Sequence, residues 1–250
     1  MTGGICLGMM PSYRFLVNMM KRKVGVILSG CGFLDGAEIS EAVLTLLALD
    51  SHDLQAVCMA PNEAQAHVVD HVTGEEVPGE SRDVLREAAR IARGQIRDWK
   101  GVTSDELDAI VMPGGFGAAK NLSDFASRGG DATAHPEIVR LLSGMHAQKK
   151  PIGAICISPA VVACVLGKQA KPTLTIGSDP GTAQALQAMG AVHQDSVVDA
   201  CVVDEANRIV STAAFMCDAR LKDISAGIHA LVAAIQNLLN SDSEAKGIDQ

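Results

Sequence analysis

Four short apolar runs, each stopping at or near a Gly- or Pro-containing turn, restrict this chain to a sheet buried between helices. They are Val24 to Ser29, Leu54 to Met59, Leu107 to Met112 and Ile152 to Ile155. Helical spacing fills the gaps. Glu38 to Leu49 places Ile39, Val43, Leu46 and Leu47 on one face, Ser81 to Ala92 has Ser81 as its N-cap, and Pro136 to Gln148 forms a third helix. Strands apolar on both faces and separated by helices imply right-handed βαβ units in a doubly wound, mostly parallel sheet.

Later segments extend the pattern. Leu174 to Ile176 reads as a short strand, and Thr182 to Met189 as a helix stopped by Gly190. Val197 to Val203 and Arg208 to Ser211 flank the turn at Asp204 as a hairpin, and Ile224 to Leu239 is the closing helix. Glu63 to Gly79 is ambiguous between strand and turn, and Asn121 to Thr133 reads as an irregular surface excursion. The expected organisation is a single α/β domain over 23–240, an extension over 1–22 that reads best as an upstream start, and a polar tail over 241–250.

Aromatic residues are only 3% of the chain, so the core must come from Ala, Val, Ile and Leu. With a net charge of -8 and no basic stripe, nucleic acid is excluded as a partner. No apolar run reaches the length of a membrane span. Seven cysteines without Cys-x-x-Cys or Cys/His ligand spacing imply free thiols, a reducing cytoplasmic setting and no structural metal. Neither a Gly-x-Gly-x-x-Gly turn nor a phosphate loop is present, so no nucleotide cofactor is expected.

Ligands of such sheets bind at the carboxyl ends of the strands. Three turns fall there: Gly30 to Gly36, Pro113-Gly-Gly-Phe-Gly117, and the sharp strand-to-helix turn at Cys156. In Gly153-Ala-Ile-Cys-Ile-Ser-Pro-Ala160, Pro159 sits where a first helical turn begins. A cysteine at such an elbow faces the amides of the next residues, and a helix N-terminus is expected to lower its pKa. Cys156 is therefore the candidate nucleophile, whereas Cys58, Cys164 and Cys201 lie in apolar runs and read as buried core thiols. Amides of Gly114 and Gly115, with the Ile157 N–H, could hold an oxyanion. Glu38 and Glu41 share a helix face at the ligand edge, and either could serve as acid and base.

Together, Gly36-Ala-Glu-Ile-Ser-Glu41, Pro113-Gly-Gly-Phe-Gly-Ala-Ala-Lys-Asn-Leu-Ser123 and Ala154-Ile-Cys-Ile-Ser-Pro-Ala160 resemble the PfpI superfamily, relatives of class I glutamine amidotransferases. Val26-Ile-Leu-Ser-Gly-Cys-Gly32, His71-Val-Thr-Gly-Glu75 and Leu174-Thr-Ile-Gly177 are similar to its ElbB branch of isoprenoid biosynthesis proteins with an amidotransferase-like domain. The resemblance implies a flavodoxin-like three-layer sandwich, a nucleophile at Cys156, an acidic partner at Glu41 and a Pro-Gly-Gly amide near Gly115. It implies a homodimer and a cofactor-free glyoxalase acting on a small dicarbonyl, glyoxal to glycolate. A non-catalytic redox sensor or accessory protein of isoprenoid metabolism, using an oxidisable Cys156, is the alternative.

Hydrolytic relatives place a histidine after the nucleophile or a little downstream. Here Ile157 and Gly177-Ser-Asp-Pro180 occupy those places, so glutamine hydrolysis through a triad is not expected. His193, near Asp195 and Asp199, reads as a solvated loop residue.

Overall fold

The computed structural model describes residues 21–247, with side chains described through 241. The expected upstream extension lies outside the described residues except for its last two. Seven strands form one sheet: β1 (Lys23–Ile27), β2 (Gln55–Ala60), β3 (Arg97–Asp98), β4 (Ala109–Met112), β5 (Ile152–Ile155), β8 (Val202–Asp204) and β9 (Ile209–Thr212). Their spatial order is β3-β2-β1-β4-β5-β9-β8, parallel throughout except for the β8–β9 hairpin. Two further strands, β6 (Thr173–Leu174) and β7 (Val192–His193), pair beside it.

Alternation along each strand sends side chains to two cores. Val24, Val26 and Val111 face α1 (Ile39–Ser51), α2 (Val84–Ile91) and α8 (Leu221–Gly247), where Leu49, Val84, Ile228 and Ile235 are buried. Ile27, Ile110 and Met112 face the opposite layer. That layer holds α5 (Pro136–Ala147) and α6 (Ser158–Ala170), with α3 (Phe116–Lys120), α4 (Phe125–Arg128) and α7 (Pro180–Ala188) alongside. This is the expected flavodoxin-like α/β sandwich, with helices on both faces of a mostly parallel sheet. No helix among the described residues is long and apolar enough to cross a membrane.

Several local expectations need correction. Asp83, not Ser81, caps α2, its carboxylate accepting the Arg86 N–H at 2.9 Å. The chain stays extended until then because Val84 N–H donates to Glu63 O and Ala64 bridges Asp83. The ambiguous stretch contains that bridge and a second, Val69 with Glu76. The excursion after Asn121 contains α4 and buries Leu122 completely. The final helix runs through the expected polar tail to Gly247.

The largest difference is on α1. Helical spacing placed Ile39, Val43, Leu46 and Leu47 on one face, the face an amphipathic helix ordinarily buries, yet Ile39, Val43 and Leu47 are exposed and Leu46 is half-buried. The helix turns Ala42, Thr45, Ala48 and Leu49 inward, and with them Glu41. Counting apolar residues favours the outer face because the inner one carries a buried carboxylate and mostly small residues.

Candidate active site

β5 delivers Cys156 to the carboxyl edge of the sheet, and α6 leaves immediately after it. Cys156 has φ +61°, a left-handed conformation that non-glycine residues adopt at a cost of about 1–3 kcal/mol. Two contacts hold it there. Its N–H donates to Thr212 O at 2.9 Å, and the Ser158 hydroxyl donates to Pro113 O at 2.8 Å, tying the elbow to the Pro-Gly-Gly turn. The side chain is nearly sealed, at 7% exposure.

Gly114 allows the close approach this requires. A Cβ there would stand 2.5 Å from Cys156 Cβ, 2.9 Å from Glu41 Oε2 and 3.0 Å from Cys156 Sγ. Gly115 adopts φ +89°, and a side chain would drive into the backbone of Gly36 to Glu38. The turn is also stitched to the Gly30–Gly36 loop: Phe116 N–H donates to Phe33 O at 2.7 Å and Gly117 N–H to Gly36 O at 2.8 Å. Asn121 clips a third loop to the same edge, its amide donating to Ser29 O and Asp35 O and accepting from Ala66 N–H.

Glu41 is fully buried and hydrogen-bonded to Cys156. Its Oε2 accepts the Gly114 N–H at 2.9 Å and its Oε1 the Phe215 N–H at 3.3 Å. Glu38 has a different task. It caps α1, its Oε2 accepting the Glu41 N–H at 2.5 Å, and bears on Glu41 through its charge. Burial first, then the Glu38 charge, push the Glu41 carboxyl up to about 7.

The expected lowering of the Cys156 pKa is overturned. Burial, then the Glu41 charge, raise it well above the ordinary thiol value, while the Gly115 and Ile157 amides oppose the rise. A sulfur shielded from water cannot ionise beside an ionised carboxylate. The two groups titrate as a pair instead: one proton leaves near the Glu41 value of about 7, and the other is retained. Two amides face the sulfur and two face the carboxylate.

Gly114 therefore serves Glu41, while Gly115 and Ile157 face the sulfur. Thr212 and Phe215 had no signal in the sequence, since each acts through its backbone. No histidine among the described residues hydrogen-bonds Cys156. His193 corrects an expectation too, for its side chain is 6% exposed rather than solvated, with Nδ1 3.5 Å from Asp195. Of the expected core thiols, Cys58 is buried, whereas Cys164 and Cys201 are partly exposed. A cleft of about 420 Å³ opens elsewhere, lined by Lys21, Arg22, His52 and Gln236, and holds no nucleophile.

No protein-family model matches the chain. It is 41% identical over 245 residues to a human protein, "Glutamine amidotransferase-like class 1 domain-containing protein 3, mitochondrial", covering 92% of this chain and 90% of that one. It is 42% identical over 228 residues to the rat "ES1 protein homolog, mitochondrial", covering 87% and 84%. Among solved structures, an Ehrlichia chaffeensis isoprenoid biosynthesis protein with an amidotransferase-like domain superposes with a TM-score of 0.82 at 42% identity, covering 87% of this chain and 99% of that one. Drosophila melanogaster DJ-1beta, at a TM-score of 0.52 and 17% identity over 89% of this chain and 97% of that one, shares the fold. The chain belongs to the glutamine amidotransferase-like class 1 family.

Proposed function

We propose that the protein is a cofactor-free glyoxalase that converts glyoxal to glycolate at Cys156, with Glu41 as acid and base. The observation carrying this reading is the hydrogen-bonded, co-buried Cys156–Glu41 pair; a single anion shared between the two would supply a nucleophile and a proton donor together. Sulfur adds to one aldehyde carbon, and the Glu41 proton passes to the new alkoxide, giving a hemithioacetal. Glu41, now a carboxylate, removes the hydrogen from that carbon. It returns a proton to the neighbouring carbon through an enediol, leaving a 2-hydroxyacyl thioester. Water then releases glycolate and the thiol. The Gly115 and Ile157 amides face the sulfur, where charge collects on the first-formed oxygen.

The nearly sealed sulfur favours a two-carbon substrate. The lack of a histidine beside it disfavours amide hydrolysis and ammonia transfer. Purified protein incubated with glyoxal should form glycolate, and Cys156→Ala and Glu41→Ala should each abolish it. No glycolate, with selective peroxide oxidation of Cys156, would favour the redox-sensing alternative. No glycolate and thiol-independent capture of a partner would favour the accessory role in isoprenoid metabolism, the process for which the Ehrlichia chaffeensis protein is named.

We also propose that two copies pair through the outer face of α1. Ile39, Val43 and Leu47 form an exposed stripe without charge, and Phe33 and Phe116 are exposed on two loops joined to each other by a backbone hydrogen bond. A reducing, cytoplasm-type compartment is proposed on the six free thiols among the described residues. The mitochondrial names belong to the relatives, and cell fractionation would separate the two locations.

A further inference from the structure

One short stretch after β9 touches both members of the pair. Thr212, the last residue of β9, accepts the Cys156 N–H at 2.9 Å, and Phe215 donates its N–H to Glu41 Oε1 at 3.3 Å. Between them the chain makes a tight turn, closed by Met216 N–H to Ala213 O and Cys217 N–H to Ala214 O, both at 3.0 Å. Ala214 within it is fully buried with φ +43°. A left-handed alanine persists only where its surroundings impose it.

The surroundings do so from two sides. Thr212 Oγ1 donates to Ala200 O at 2.7 Å. Cys217 and Ala213 pack against Gly177, where a Cβ would stand 3.1 Å from Cys217 Sγ and 3.3 Å from Ala213 Cβ. Gly177 opens the segment in which hydrolytic relatives are expected to carry their base histidine. A side chain at this position is opposed by its φ of +86° and by the turn packed over it.

We propose that the turn Ala213–Phe215 is a positioning device that replaces a triad histidine. It anchors the nucleophile's backbone through Thr212 and the acid–base carboxylate through the Phe215 amide. Phe215 is a positioning residue, acting on the reaction only through Glu41. The proposal rests on reading Cys156 and Glu41 as the reacting pair, but its test does not need turnover.

In a pH titration of the full chain followed by amide NMR, the Gly114 and Phe215 N–H resonances should move together. Their common midpoint should lie near the Glu41 value of about 7, and both should stand still in Glu41→Gln. A Phe215 resonance that ignores the titration while Gly114 follows it would overturn the proposal. A second measurement replaces the Phe215 amide by an ester, deleting the N–H and keeping the side chain. The pH midpoint of Cys156 alkylation should rise by ~0.5–1 unit, because a donor to the ionised carboxylate has been lost. Phe215→Ala, which keeps the N–H, should leave it within ~0.2 unit. An unmoved midpoint in the ester overturns the proposal even if glyoxal is turned over. Absence of glycolate in the parent, with both amides responding, sinks the glyoxalase reading alone.

Discussion

Gly114 and Glu41, seventy-three residues apart, are joined by a 2.9 Å hydrogen bond from the glycine amide to the carboxylate, and Cys156 lies against both. Backbone from the β4 turn, a carboxylate from α1 and sulfur from the β5 elbow thus meet where no side chain at 114 fits. Gly114→Ala should shift the pair apart and lower glycolate formation by about 10²-fold, the scale of an ångström-sized misplacement. Steady-state kinetics check this, with circular dichroism to show a retained fold. Activity within threefold of the parent would contradict it.

The buried carboxyl also makes stability depend on pH. A group whose pKa is raised by folding stabilises the native state while protonated. That contribution is complete below the ordinary carboxyl value of 4.5 and is lost as pH rises through about 7. In Glu41→Gln this loss should vanish, so the variant should gain on the parent between pH 5 and pH 8 by up to about 3 kcal/mol. Denaturant unfolding at the two pH values measures it. Equal pH dependence in parent and variant would count against a proton held at Glu41.

Asn121 should matter to stability rather than chemistry. Its removal leaves Ser29 O, Asp35 O and Ala66 N–H without their side-chain partner. Asn121→Ala should cost about 1–3 kcal/mol by chemical denaturation. A change below about 0.5 kcal/mol would mean that water replaces the amide without penalty.

Most of the architecture was legible because parallel strands buried on both faces read as unbroken apolar runs, as at Val24 and Ile152. β3 and β7 escaped because each is only two residues long, Arg97–Asp98 and Val192–His193, with no periodicity to detect. Cys156 stood out at the strand-to-helix junction before Pro159. Choosing Glu41 over Glu38 required coordinates, since both lie in the same turn and only the tilt of α1 decides which is swallowed. The direction of the thiol pKa was also hidden. A helix N-terminus argues for a lower value, and the burial that outweighs it is a tertiary property.

The exposed stripe on α1 makes a prediction independent of catalysis. Val43→Asp with Leu47→Glu should convert a dimer into a monomer of unchanged secondary structure, as seen by sedimentation, because pairing would bury like charges from both copies against each other. A parent that sediments as a monomer at micromolar concentration would refute the pairing.

The shared proton is tested most directly by the rate of Cys156 alkylation as a function of pH, in the parent and in Glu41→Gln. We expect a parental midpoint near 7, set by the first ionisation of the pair, and its disappearance in the variant, whose thiol should react only at much higher pH. A profile with its midpoint at the ordinary thiol value, identical in both proteins, would contradict the account.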